Sequence, residues 1–240
     1  MRQIDCGSDS AIHAPRDRIG HAPDAVIDNA PDASVETARI RSVLPPLFLI
    51  QFFSWSGLFA LWIYSVPVVT RYVFAATSTE TTAYRDGLFW VSLAFAFYAV
   101  LGTSLAFALP RFVARWGYAH VHATALLIGG AGIASLSLIE RPILLLPAFI
   151  AIGIGWSSIG NIPYGIVSEM SPPDRISHYM RWFGFSTVIP QTTATFVLAF
   201  AVEHWFAQQT NLVMALGGAS MMVAGVITLL VRQRLEKTAS

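Results

Sequence analysis

The chain has 240 residues, of which 55% are hydrophobic and 12% charged, with a formal net charge of +1. That balance belongs to an integral membrane protein. Lysine supplies one of the 15 basic residues, so no basic patch of the kind that attracts nucleic acid is present in the sequence.

Residues 1–42 are rich in Ala, Asp, Pro and Arg, repeat Ala-Pro-Asp at 22–24 and 30–32, and hold half of the acidic side chains. So little apolar surface cannot offset the entropy of ordering the backbone, and a disordered cytoplasmic extension is expected there. The stretch has no apolar core of a secretory signal. Its lone cysteine, Cys6, forms no internal disulfide and supplies no metal-site spacing.

Six apolar runs follow, at about 45–70, 87–109, 119–138, 142–168, 181–203 and 211–231, each close to the roughly 20 residues that cross a bilayer. The links between them carry the charges. Arg39, Arg41, Arg111, Arg115, Arg175, Arg181, Arg232, Arg234 and Lys237 fall on one side, and Arg71, Arg85 and Arg141 on the other. The asymmetry predicts both termini in the cytoplasm, a transmembrane domain over 43–232 and a cytoplasmic tail over 233–240.

On helical spacing the first run puts Gln51, Trp55, Leu58, Trp62 and Ser65 on one face. The second aligns Trp90, Phe97, Leu101 and Ser104, an ordinary packing stripe. In the link after it, His120 and His122 are two residues apart, so they diverge on a helix and make a poor metal pair. Gly129, Gly130 and Gly132 in the third run, and Gly217, Gly218 and Gly225 in the sixth, allow close helix approach.

The stretch from Ala148 to Gln191 is the most unusual. Gly153, Ser157, Gly160, Asn161, Tyr164 and Ser168 fall on one stripe with Trp156 at its edge, and Thr187, Gln191 and Thr195 continue the polar theme around Pro190. Lipid offers no partner for an amide, so the stripe is expected to face protein or a cavity. Ser171-Pro-Pro-Asp breaks the helix between the two runs. Glu169, Asp174, Arg175 and Arg181 there form either a latch or a solvated loop of mixed charge.

The pieces GIGWSSIGNIPYGIVS (153–168) and YMRWFGFSTVIPQ (179–191) resemble the tenth and eleventh helices of major facilitator superfamily sugar transporters, closest to the sucrose-type and glycoside-pentoside-hexuronide cation symporter branch. Trp156, Pro163, Tyr164, Tyr179, Met180, Pro190 and Gln191 carry the likeness, which extends more faintly over 45–231 as helices seven to twelve. The resemblance implies an all-α membrane protein of six transmembrane helices, half of a superfamily bundle, built as two inverted three-helix repeats in a plasma (inner) membrane. It implies transport of a sugar or glycoside by cation-coupled symport, with a proton or sodium ion and no cofactor, and a complementary six-helix half or a second copy as partner.

By the same resemblance, substrate contacts would come from Gln51, Trp55, Trp156, Asn161, Tyr164 and Gln191. An indole packs on the apolar face of a sugar while amides bond its hydroxyls. The plainer reading keeps Trp62 and Tyr64 as interfacial belt residues and Trp55 as packing. The chain also departs from the family. Arg181 stands where a small residue is usual, the loop with Arg111, Arg115 and Gly117 lacks its customary acidic member, and no carboxylate lies deep in an apolar run. A transport-incompetent remnant or interaction module, and an exporter of a non-sugar metabolite or drug, therefore stand as alternatives. No nucleophile elbow or dinucleotide-binding glycine pattern occurs in the sequence, so an enzyme is not expected.

Overall fold

The computed structural model describes residues 33–206 and 209–236, and all regular structure among them is helical. Residues 1–32 and the last four lie outside the described part, and with them most of the expected N-terminal extension. Helix α1 starts at Ala33 and runs to Val68, because Ile40, Val43, Leu47 and Ile50 form a buried stripe that begins inside the polar-looking segment. Pro67 lacks a donor near the end of α1, and the chain widens into a π turn over Val69–Val73 in which Thr70 Oγ1 bonds the Val66 carbonyl at 2.9 Å.

Helix α2 (Thr82–Trp116) is capped by Thr81, whose hydroxyl accepts from the Tyr84 amide at 3.2 Å, and it continues through the expected link at Pro110. It stops at Gly117, where φ of +79° suits only glycine. Helix α3 (Tyr118–Ser135) follows at once. The fourth apolar run is not one helix but two, α4 (Leu145–Ile159) and α5 (Ile162–Met170). Pro163 cannot donate to the Ile159 carbonyl, and the break falls just ahead of it. Helices α6 (Ile176–His204) and α7 (Asn211–Leu230) complete the bundle. The expected tail begins as a short helix, α8 (Arg232–Glu236), whose Leu235 is buried.

Among the described residues, five helical segments are long and apolar enough to cross a membrane: Thr37–Val73, Thr82–Trp116, Pro142–Met170, Ile176–His204 and Asn211–Leu230. The third expected run, α3, is helical but is not one of these five. It nevertheless lies at the centre, packed between α4 and α7.

The neighbours are arranged in matching pairs. α1 packs on α7 as α4 packs on α3; α6 packs on α1 as α2 packs on α4; α3 and α7 pack on each other in the middle. Glycines mark the crossings. A Cβ on Gly57 would stand 2.6 Å from the Gly217 carbonyl oxygen, one on Gly129 would stand 2.9 Å from Gly155 Cα, and one on Gly130 would stand 2.7 Å from the Gly218 carbonyl oxygen. Consecutive glycines in α3 and in α7 thus perform corresponding tasks, one toward an outer helix and one toward each other.

Candidate functional site

Helices α1 and α6 run side by side in the same direction. Near their first turns inside the bundle Phe48 meets Phe183 edge-on at 5.5 Å, and farther along Phe59 clusters with Ala194 and Leu198. That register sets Gln51 at the level of Ser186. Both are buried, at 0% and 2% exposure, and neither the Gln51 Nε2 nor the Ser186 hydroxyl has a hydrogen-bond partner. The Gln51 Oε1 receives at most a long 3.5 Å contact from Ser54, whose hydroxyl lies closer to the Gln51 backbone carbonyl. Trp55, one turn on, also has an unpartnered indole N–H, and its ring stacks on Phe59 at 5.7 Å.

Tyr164 of α5 joins this seam. Its ring meets Phe183 edge-on at 5.0 Å and its hydroxyl lies 3.4 Å from Thr187 Oγ1. Gln51, Trp55 and Tyr164 are therefore gathered along the α1–α6–α5 seam, together with Ser186 and Thr187. Sequence reasoning passed over Ser186, because a lone serine in an apolar run gives no local sign of being left unpaired.

The other three expected contact residues lie elsewhere. Trp156 turns toward α2, its ring 5.2 Å from Tyr98 and so close to Gly102 that a Cβ there would stand 2.6 Å from it. Its face is occupied by packing. Gln191 is on the exposed side of α6, next to the buried Pro190. Asn161 sits at the α4–α5 break, and its Nδ2 donates to the Ser157 carbonyl at 2.6 Å. Its own backbone N–H has shifted to Ser158, at 3.3 Å, so the side chain supplies the donor that the helix no longer does. The stripe expected from uninterrupted helical spacing is thereby split. Asn161 faces a cavity of about 700 Å³ shared with Tyr118, Gly165, Glu169 and Glu236, whereas Tyr164 faces α6.

That cavity has its own polar clasp. The Tyr118 hydroxyl donates to Glu169, tying the start of α3 to the end of α5. Glu169 is thus engaged by a tyrosine and not by the arginines of the following link, where Arg175 pairs at 3.4 Å only with the adjacent, exposed Asp174. His120 and His122 do diverge. His120 Nδ1 lies 3.1 Å from Glu236, whereas His122 is buried, its Nδ1 2.6 Å from Ser158 Oγ across the α3–α4 contact.

The chain is a helical, multi-span membrane protein. No family model matches it, and no curated protein or solved structure is significantly similar to it.

Proposed function

We propose that the chain is the carboxyl-terminal half of a twelve-helix secondary transporter of the major facilitator type, moving a sugar or glycoside in company with a second six-helix half. A multi-span helical bundle is consistent with membrane transport in general. The matched pairing of α1, α2, α3 with α4, α6, α7, glycine contacts included, is the observation that supports the finer reading. Successive spans alternate in direction, so the repeat to which α4 belongs is inverted relative to that of α1, and transporters of this kind place their sites where such repeats meet. In this reading α3 also spans the membrane, third in order, and brings the number of spans to six. The substrate faces the α1–α6–α5 seam, with Gln51 and Tyr164 as polar contacts and Trp55 as the stacking surface. Asn161, Trp156 and Gln191 reach it only through a rearrangement of the α4–α5 break or from the partner half.

Alternating access is the rocking of two halves about a shared site, so one half alone carries no flux. The purified chain reconstituted in liposomes is expected to show no saturable uptake of labelled disaccharide, and to gain it when associated with a second half or a second copy. Saturable uptake by a monomer that resists crosslinking would overturn the half-transporter reading. A crosslinked dimer without uptake of any tested solute would favour a transport-incompetent remnant, a reading supported by the packing role of Trp156 and Asn161. Uptake or release of a non-sugar metabolite would favour an exporter.

The arginine asymmetry supports termini in the cytoplasm. In a Cys6→Ser background, Thr79→Cys is expected to react with an impermeant thiol reagent in intact cells, and Ser177→Cys to be spared. Both positions are exposed loop or helix-end sites, so access to the reagent differs by membrane side alone. The reverse pattern would invert the topology.

A further inference from the structure

Arg41 stands two helical turns ahead of Phe48 on α1, and Phe48 is the residue that meets Phe183 of α6. Arg41 is thus carried on the face of α1 that packs on α6, and it lines a cavity of about 470 Å³ together with Asp174, Arg175, His178 and Tyr179. The wall holds two guanidinium groups and one carboxylate. Asp174 is engaged by its neighbour Arg175 at 3.4 Å, and Arg41 has no ion-pair partner among the described residues. The His178 ring and the Tyr179 hydroxyl bring further hydrogen-bonding groups to the same wall. A surplus of positive charge carried on forked donors suits an oxyanion, and phosphate above all.

What leads away from this cavity is apolar. His178, Trp182, Phe185 and Ile189 follow one another at four- and three-residue spacing on an exposed face of α6. Their rings are in contact, His178 meeting Trp182 edge-on at 6.4 Å and Trp182 meeting Phe185 tilted at 5.7 Å. From His178 to Ile189 the stripe is about 16 Å long at 1.5 Å per residue, one leaflet of the ~30 Å hydrocarbon core. It lies on the flank of α6 away from the α1–α6–α5 seam. Phe183 and Pro190 are buried, Thr187 marks the side that meets Tyr164, and Phe185 and Ile189 stand about 200° round the helix from Thr187. A partner closing over the seam leaves this flank to lipid.

We propose that Arg41, Arg175, His178 and Tyr179 bind the phosphate of an anionic phospholipid whose acyl chain lies along Trp182, Phe185 and Ile189. Charged, indole and apolar side chains stand in the order of phosphate, interface and acyl chain, an order that a soluble phosphate does not require. The apolar stripe holds a chain of any lipid, and the arginines select the negative headgroup. The site does not depend on the transport reading.

The test is native mass spectrometry of the purified full chain in nonionic detergent, titrated with dioleoylphosphatidylglycerol, dioleoylphosphatidylcholine or glycerol 3-phosphate. Phosphatidylglycerol is expected to bind about fivefold more tightly than phosphatidylcholine, the effect of one uncompensated arginine near a membrane surface, and glycerol 3-phosphate not to be retained. Asp174→Asn frees Arg175 from its carboxylate and is expected to raise the ratio to about twenty-five. Arg41→Gln with Arg175→Gln is expected to bring the ratio to about one, whereas Arg111→Gln with Arg115→Gln, outside the cavity, is expected to leave it unchanged. All of these side chains are exposed, so helicity by circular dichroism is expected to stay the same. Equal binding of the two lipids to the unaltered chain would overturn the proposal, as would a ratio that Asp174→Asn does not move. An equal drop in both double variants would overturn it by assigning the preference to general charge. Glycerol 3-phosphate held as tightly as phosphatidylglycerol would overturn it by assigning the cavity to a soluble phosphate.

Discussion

Gly218→Ala is expected to destabilise the bundle by about 1–3 kcal/mol although it adds a single methyl group. The new Cβ would stand 2.5 Å from both the Ala134 amide nitrogen and the Gly130 carbonyl oxygen. Both are backbone atoms, so no side chain can move aside and the α3–α7 pair must separate. Without a hydrophobic drive between helices in lipid, close backbone contact supplies much of the association energy, and separation forfeits it along the whole seam. Gly184→Ala in α6 is the control, because nothing lies within 4 Å of its Cβ position. There alanine is expected to stabilise by up to ~1 kcal/mol through helix propensity. Thermal unfolding of the two variants in one detergent should therefore shift in opposite directions. A Gly218→Ala protein as stable as the parent would show that α3 and α7 do not approach as closely as described.

Gln51→Leu is expected to stabilise the chain and to impair its function. The glutamine is fully buried and its Nε2 has no partner, a condition that costs on the order of 1–3 kcal/mol, whereas leucine fills a similar volume without a polar atom to satisfy. A stability gain near 1 kcal/mol, read as a raised unfolding midpoint, would identify the amide as an expense the fold carries for another purpose. In an assembled transporter the same substitution is expected to weaken solute binding about tenfold, the effect of losing one hydrogen bond to a buried group. Loss of stability in Gln51→Leu would instead make the amide a structural member of the bundle, and would remove it from the site.

The helical, membrane-spanning class was legible because long apolar runs separated by charged links need no tertiary knowledge to interpret. Helix ends were less so. The start of α1 hides in a segment whose average composition is polar, and only the spacing of Ile40 and Val43 betrays its buried face. The candidate site was partly legible. Gln51 is buried and Trp55 half-buried, and the Gln51 amide nitrogen and the Trp55 indole N–H are both unpartnered, as an inward stripe requires. The Asn161 stripe dissolved because helical periodicity assumes a continuous helix, and Pro163 interrupts it between Ser157 and Tyr164. The Tyr118–Glu169 clasp joins residues 51 positions apart, and a contact of that range leaves no trace in local spacing.

The matched pairing of helices also fixes the order in which the bundle can close. α1 finds its main neighbours in α7 and α6, the last long helices of the chain, and α3 finds its largest in α7. α2 waits for α4. A chain emerging from the amino end therefore carries three helices into the membrane before any of their principal partners exists, and their glycine faces stay open in the meantime. The long loops that must be closed make assembly slow to begin. Completion hinges on α7, because its arrival covers α1 and α3 in one step. The fold is in this sense written back to front: the first half of the sequence is insertion, and packing starts only with the second.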